Sequence, residues 1–496
     1  MRVGIIGAGV SGLCTAKVLR EVGFSVVIFE REQAIGGVWT PSRRYSGLTT
    51  QSPRDTYSLS DQPMPTWYPE WPSGEQVYDY LASYCDRFDL WSAIRLGVEV
   101  IAAHEQQDST TWLLELSSSN ALESSTTVVD HLVVANGVFS TPFIPDIDNK
   151  ASFEQLGGRV RHTSEPFFER DLSDSDAVVV GYGKSACDSA VHFASRARST
   201  TLITRRLLWK IPTHLWIFPL KNLLLSRFAE ALFEPVQYDS KSWFTHGQGL
   251  RLRQILFSCL QWGVCRQLGL RDAGLVPEGS IEDIGCSSIS TASTGFFEAV
   301  ADGSIRVVPN VEIRNYQTTS GRSLTLSDGR SIPADIVVFG TGFTQEVPFL
   351  SRDVQSRLFD EHGDFALYRN VHPPSVPRIS FAGYSSSLIS PLNAEVSAHW
   401  IAALLVGELT LPSEDQQWKE IRSRLSSSRQ RTGGNHARGA SIVPFSLRGI
   451  DDLLNDLGVR VGIRTRIAEW FFAPDPMAYG NVLEELRQQT SMWKSS

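Results

Sequence analysis

Two glycine-centred segments have residue types and spacings that could do chemistry. Gly7-Ala8-Gly9-Val10-Ser11-Gly12 follows a short apolar run at 3–6 and precedes a helical pattern closed by Gly23, and a second apolar run at 25–29 ends on Glu30. In such a strand–turn–helix–strand unit Gly7 permits the tight turn, Gly9 lets the backbone approach a pyrophosphate, and Gly12 allows close helix–strand packing. The helix N-terminus faces the phosphates. Glu30, 18 residues beyond Gly12, is spaced to take ribose hydroxyls.

The second segment, Gly181-Tyr182-Gly183-Lys184-Ser185-Ala186, follows the apolar run at 177–180. Alanine in the third small position still allows tight packing. The strand that follows, at 201–203, ends on Thr204-Arg205-Arg206 in place of an acid. Two guanidiniums without a carboxylate suit a 2′-phosphate, hence NADP over NAD. One chain with both loops reads as FAD on the first and NADPH on the second.

These loops must be positioned by alternating strands and helices, so the expected fold is α/β with two Rossmann-like dinucleotide-binding domains. Returns to cofactor-facing glycine turns at Ala135-Asn136-Gly137 and Gly340-Thr341-Gly342-Phe343 place the NADP domain inside a discontinuous FAD domain. The expected boundaries are 1–165 and 331–496 for the FAD domain and 166–330 for the NADP domain. Within the latter, 207–270 is rich in Trp, Phe and Leu and reads as a helical insert. Three roles stay open for it: lining a tunnel for a bulky apolar substrate, peripheral docking on a membrane surface, or packing as a subdomain. Residues 423–439 are polar and read as a mobile loop, followed by amphipathic stretches at 449–457 and 463–472. Pro474, Pro476 and Tyr479 then turn the chain back onto the body.

Composition narrows the class. The 496 residues carry 46 Lys and Arg against 54 Asp and Glu, a net charge of −8, which gives nucleic acid no basic footprint. Six cysteines without a CxxC support neither a disulfide framework nor a zinc site, and indicate a reducing, cytoplasmic setting and no metal. The apolar, charge-free stretches near the middle of the chain fall short of the ~20 residues a membrane-spanning helix needs. The glycine pattern explains the apolar N-terminus better than a signal peptide does. Nothing in the sequence specifies an oligomeric state.

GAGVSG at 7–12, GGVW at 36–39, YSGLTTQSPR at 45–54, GYGKSA at 181–186 with RR at 205–206, GTGF at 340–343 and FAGYSSSLISPLNAEVSAHW at 381–400 together resemble the flavin-containing monooxygenase family, the class B flavoprotein monooxygenases. The resemblance covers residues 1 to about 410, with a weaker match beyond. It implies FAD contacts at Gly7, Gly9, Val10, Ser11, Gly12, Glu30, Arg31, Gly37, Val38, Trp39, Gln51, Val100, Ala135, Asn136, Gly137 and Asn393. The implied NADP contacts are Gly181, Tyr182, Gly183, Lys184, Ser185, Ala186, Arg205, Arg206, Thr341 and Gly342. It further implies that NADPH reduces FAD, that O₂ adds at C4a to give a (hydro)peroxyflavin, and that one oxygen atom passes to a small-molecule substrate.

Two departures bear on which substrate atom receives the oxygen. The family's identifying segment opens on Phe and ends in Tyr/Phe-Lys/Arg in N-hydroxylating members, or in Trp-Pro or Trp-Asp in Baeyer–Villiger members. In Leu156-Gly157-Gly158-Arg159-Val160-Arg161-His162-Thr163-Ser164-Glu165-Pro166-Phe167, Gly158 and His162 keep the spacing, but neither the opening nor the ending does. His162 reads as a hinge-stabilising hydrogen bonder. Where many members have Asn at the oxygen-reaction site, this chain has Gln51, whose amide is carried one methylene further out. The catalytic expectation is Gln51, with Thr50 sharing the role. The expected reaction is oxygenation of nitrogen, sulfur or electron-rich carbon in a specialised, secondary-metabolite-like molecule. Baeyer–Villiger oxidation of a ketone is the nearest alternative, and a non-oxygenating flavin reductase or redox sensor a more distant one.

Overall fold

A computed structural model describes residues 1–106, 110–118, 124–165, 172–233, 244, 247–286, 290–318, 321–385, 387–432 and 447–489. The apolar runs form two five-stranded parallel sheets. The first orders its strands Ile379–Phe381, His131–Val134, Arg2–Ile6, Ser25–Glu30 and Ile94–Leu96. The second orders them Arg306–Pro309, Ser199–Thr204, Asp176–Val180, Ile336–Phe339 and Arg159–His162. Both are covered on two faces, which is why their central strands read as unbroken hydrophobic runs.

The helices Val10–Glu21 and Ser390–Val406 pack together on one face of the first sheet. The second of these is buried around its whole circumference from Pro391 to Ala403, as an interior helix must be. The antiparallel sheet Val98–Glu105, Trp112–Ser118 and Ser125–Val129 contributes Val100, Trp112 and Leu114 to a core shared with Ile6, Val27 and Phe29.

Strand pairing shifts the domain limits from those expected. Arg159–His162 lies before position 165 and Ile336–Phe339 beyond 331, yet both are strands of the second sheet, in register Val160 with Val337 and Ala177 with Ile336. A boundary drawn at the motifs cuts that sheet, because its outer strands come from segments that carry no nucleotide loop.

The aromatic-rich stretch is not purely helical. It holds a hairpin, His214–Leu215 with Phe218–Pro219, as well as helices Arg227–Leu232 and Gly247–Gln267. Trp209 is buried. Trp216 and Trp262 are about half exposed, with ring centroids 5.8 Å apart, and Trp243 lies outside the described residues.

The region expected to be a loop from 423 is helical as far as Thr432, within Glu414–Thr432. Ile421 and Leu425 are buried one turn apart, and Arg429, one turn further, pairs with Asp360 and Asp364. This side-chain stripe overrides the weak helix preference of the serines. Positions 433–439 lie outside the described residues.

Helix Leu447–Asp456 buries Leu447, Ile450, Leu453 and Leu454, whereas Ile463–Glu469 turns Ile463 and Ile467 outward. Tyr479, fully buried, donates to Glu469 at 2.7 Å. Arg227 binds Asp451 at 2.6 Å and Glu469 at 2.7 Å, stitching the insert to the C-terminal helices. Among the described residues no helix is long and apolar enough to cross a membrane, and no group of three or more His, Cys, Asp or Glu could hold a metal.

Candidate active site between two dinucleotide loops

Gly7 ends the first strand with φ +106°, and a Cβ there would lie 2.5 Å from the Ala135 carbonyl oxygen. A Cβ on Gly12 would lie 2.0 Å from the Gly7 carbonyl oxygen, so both positions demand glycine. Gly9 caps the helix Val10–Glu21 without any side-chain cap, and the first turn, with Val10 and Ser11, carries no acid. Its free N–H groups are what a pyrophosphate binds.

Glu30 ends the second strand with Oε2 accepting from Ala8 N at 2.7 Å and Oε1 from Glu32 N at 3.0 Å. Burial raises its pKa. Each oxygen keeps a lone pair for a ribose hydroxyl. Arg31, half exposed, turns towards the Ser140 carbonyl. Gly37, Val38 and Trp39 form a short 3₁₀ turn against Gly9, and Trp39 Nε1 donates to Tyr57 OH at 3.0 Å.

Asn136 is clamped in place. Its Nδ2 donates to the Glu346 carbonyl at 2.8 Å, and its Oδ1 accepts from Tyr384 OH at 2.7 Å. Gly137 follows with φ +83°. Val100 sits in the core behind the first sheet. Asn393, 1% exposed, has both amide atoms buried without a protein partner, and so does the Thr50 hydroxyl, also 1% exposed. Buried polar atoms left unpaired call for a ligand group, and the polar edge of a flavin supplies one. The residues fit FAD.

The second loop repeats the plan. Gly181 has φ +122°, Gly183 caps the helix Lys184–Ala194 with open space beside it and no side-chain cap, and Ala186 packs against Gly340. Tyr182 is buried beneath the loop, and the Lys210 ammonium binds its carbonyl. The Lys184 ammonium is committed to Asp188 at 2.6 Å, leaving its backbone for a phosphate. Arg205 is two-thirds exposed, 3.6 Å from Glu312, and among the described residues Arg206 has no ion-pair partner. Both line the cavity beside this loop, which fits a 2′-phosphate.

A cavity of about 740 Å³ joins the two halves, bordered by Trp39 and Gln51 from one side and by Gly181–Ser185, Arg205, Thr341 and Gly342 from the other. Gln51 Oε1 accepts from Thr291 N at 3.2 Å. A backbone N–H can only donate, so the amide orientation is settled and Nε2 is the end left for the cavity. His162, fully buried, accepts at Nδ1 from Ser164 N at 3.1 Å and therefore donates from Nε2 to the Gly342 carbonyl at 3.0 Å. Burial lowers its pKa to about 4, so it is a neutral brace for the Thr341–Gly342 turn. Thr341 Oγ1 donates to the Phe143 carbonyl.

Motif spacing missed several residues of this site. Tyr45 OH donates to Asp188 at 2.9 Å across the cleft. Arg43 lies over the Phe343 ring and donates to the Phe139 carbonyl at 2.7 Å. Thr291 and Lys210 carry no motif at all. Tyr45 was signalled by its place in the 45–54 run, while the others depend on pairings distant in sequence.

The geometry agrees with the comparisons. The flavin-binding monooxygenase-like family model matches residues 1–252 and 298–478. "Probable flavin-containing monooxygenase 1" of Arabidopsis thaliana is 28% identical over 516 aligned positions, covering 95% of this chain and 94% of that protein. Among solved structures, S-allyl-L-cysteine S-oxygenase from Allium sativum aligns with TM-score 0.62 at 19% identity, covering 100% of this chain and 95% of that one. NADP⁺-bound cyclohexanone monooxygenase from Rhodococcus sp. Phi1 aligns with TM-score 0.67 at 18% identity, covering 92% and 97%. With two uncapped dinucleotide loops, the second of them bordering the cavity, and a family match over most of its length, this chain belongs to the flavin-binding monooxygenase-like family and is an FAD-dependent, NADPH-using monooxygenase.

Proposed function

We propose that this enzyme transfers one oxygen atom of O₂ to nitrogen, sulfur or electron-rich carbon of a specialised, secondary-metabolite-like small molecule. The fold does not choose the reaction, since its neighbours include both an S-oxygenase and a cyclohexanone monooxygenase. The observation that carries the reading is Gln51. With its oxygen held by Thr291, it offers the cavity a neutral amide donor.

When bound, FAD reduced by NADPH supplies the activation of O₂. This chain's residues do the rest. Gln51 Nε2 holds a proton against oxygen at the reaction site, while Thr50 lines a separate, smaller cavity together with Thr291. A neutral donor keeps oxygen electrophilic, whereas attack on a ketone carbonyl calls for an anionic oxygen held by positive charge. Arg43, the guanidinium beside Trp39, is turned onto the Phe139 carbonyl and the Phe343 ring. Trp39, Tyr57, Phe139, Phe143 and Phe343 give the walls an apolar, aromatic lining. The free thiols Cys14, Cys85, Cys187, Cys259 and Cys265 support a cytoplasmic setting.

The test is product analysis under ¹⁸O₂ with a panel of amines, thioethers and ketones. The expected result is a narrow profile, with the label on nitrogen, sulfur or carbon of a few compounds. Esters or lactones from ketones as the main products would overturn the reaction class. Similar turnover of many simple amines and sulfides would overturn the specialised role.

A further inference from the structure

Lys210 is fully buried, and among the described residues no carboxylate lies within ion-pair reach of its ammonium. The nearest acid, Asp188, is already engaged by Lys184 at 2.6 Å and by Tyr45 at 2.9 Å. What Lys210 Nζ does hold is the Tyr182 carbonyl and, at 2.7 Å, Ser290 Oγ, with the Tyr182 ring centroid 4.8 Å away. A buried cation without a counter-ion is costly, so a fold that keeps one has a use for its charge.

The two bonds show where that charge is sent. The Tyr182–Gly183 peptide is trans, so its carbonyl and its N–H point in opposite directions. With the carbonyl turned in to Lys210, the Gly183 N–H is turned away from it. Among the described residues that N–H has no partner, and Gly183 has open space beside it at the border of the large cavity. Ser290 lines the same cavity. Its hydroxyl accepts from Lys210, which leaves its own proton to be donated onward. The segment around Lys210 is itself fixed: Ile211 N donates to the Ser290 carbonyl at 3.0 Å and Ala292 N to the Ile211 carbonyl at 2.8 Å.

We propose that Lys210 is a positioning residue for the nicotinamide nucleotide, aiming the Gly183 N–H and the Ser290 hydroxyl at its pyrophosphate and supplying a counter-charge from behind the loop. Without nucleotide, burial lowers the Lys210 pKa; Cys187 and Asp188 oppose that fall and Lys184 adds to it. An anion seated at the loop reverses it, so binding favours the protonated lysine. The proposal rests on the nucleotide lying at the second loop, which substitution of Arg205 tests separately.

The test is calorimetric titration of the FAD-loaded enzyme with NADP⁺, in pairs of buffers that differ in ionisation heat. The range runs from about pH 7.5, above the titration of a phosphate monoester, to about pH 9.5. Binding is expected to weaken towards the alkaline end and to take up protons there. Lys210→Met, similar in length but neutral, should raise Kd about 10-fold at the lower pH, the equivalent of one charge-assisted hydrogen bond, and should abolish the proton uptake. Ser290→Ala should weaken binding and keep the uptake. An unchanged Kd in Lys210→Met, or proton uptake that survives it, would overturn the proposal, since a lysine with a merely structural role would leave the uptake in place. Should Lys210→Met not fold, an unsubstituted enzyme that takes up no protons, or a Ser290→Ala variant that binds as tightly as its parent, overturns it instead. Weakened binding in Arg205→Ala beside normal binding in Lys210→Met leaves the nucleotide at the loop and removes only Lys210.

Discussion

The side-chain oxygen of Gln51 accepts a hydrogen bond from the backbone N–H of Thr291, 240 positions away in sequence. Gln51 follows the first dinucleotide unit and Thr291 belongs to the second, so this one bond spans the cleft between the two units. The family's more common Asn is a methylene shorter and cannot make the same reach from the same backbone position. The substitution is thus a built feature, with its partner in place.

Removing the amide tests this. Gln51→Leu is expected to lower product formation by roughly 10²-fold, the usual cost of losing one donor at a developing oxyanion. NADPH consumption should continue, with its electrons appearing as hydrogen peroxide. The ratio of product to NADPH consumed is the measurement. A ratio equal to the parent enzyme's would remove Gln51 from the oxygen site.

Arg205 and Arg206 are proposed to govern nucleotide choice. Substituting either by Ala should raise KM for NADPH by about 10-fold, the equivalent of one charged hydrogen bond of about 1.5 kcal/mol. KM for NADH should stay unchanged, because NADH has no 2′-phosphate to lose. Steady-state kinetics with both nucleotides decide it.

Buried histidines set the acid limit of stability. Burial lowers His162 and His372 from 6.5 to about 4, and His131 and His399 to about 3. A group whose folded pKa is depressed stabilises above its unfolded value and loses that contribution as pH falls. For His162 the loss runs from about pH 6.5 to 4 and amounts to ~3 kcal/mol at most. Glu395 acts in the opposite sense: burial and Asp61 raise it to about 7, so its contribution is full below about 4.5 and is lost as pH climbs through 7. The melting temperature should fall steeply below pH 6, and more shallowly in His162→Gln. Parallel curves would show that His162 titrates normally.

The bridge from Arg227 to Asp451 and Glu469 is a stability element. Glu469 is 1% exposed and Arg227 is 9% exposed. Arg227→Met strands a buried carboxylate and should cost about 3–5 kcal/mol in urea unfolding. A cost below about 1 kcal/mol would mean that Glu469 finds another partner or is uncharged.

The cofactor loops were legible in sequence because their information is local. A turn that only glycine can adopt, an uncapped helix start and a strand-end acid or arginine pair all fall within some thirty residues. The sheet's outer limits were not, since Val160 meets Val337 through a pairing that no short-range pattern encodes. The helix through 423–432 was hidden for a related reason, as its stripe of Ile421, Leu425 and Arg429 gains meaning only against Asp360 and Asp364. At the active site, Gln51 stood out by type, but its orientation depends on Thr291, a residue without any signature.

The first sheet's edge strand, Ile379–Phe381, pairs with His131–Val134 and is made late. During synthesis, every strand of the second sheet has been made by residue 339, some forty residues before that edge strand exists. Until then His131–Val134 presents an unpaired border with three apolar residues, Leu132, Val133 and Val134, and the helix Val10–Glu21 lacks its partner Ser390–Val406. A nascent chain in this state is an aggregation hazard. The inserted unit closes first and the outer one last. The two cofactor sites therefore mature in the reverse of their order along the chain.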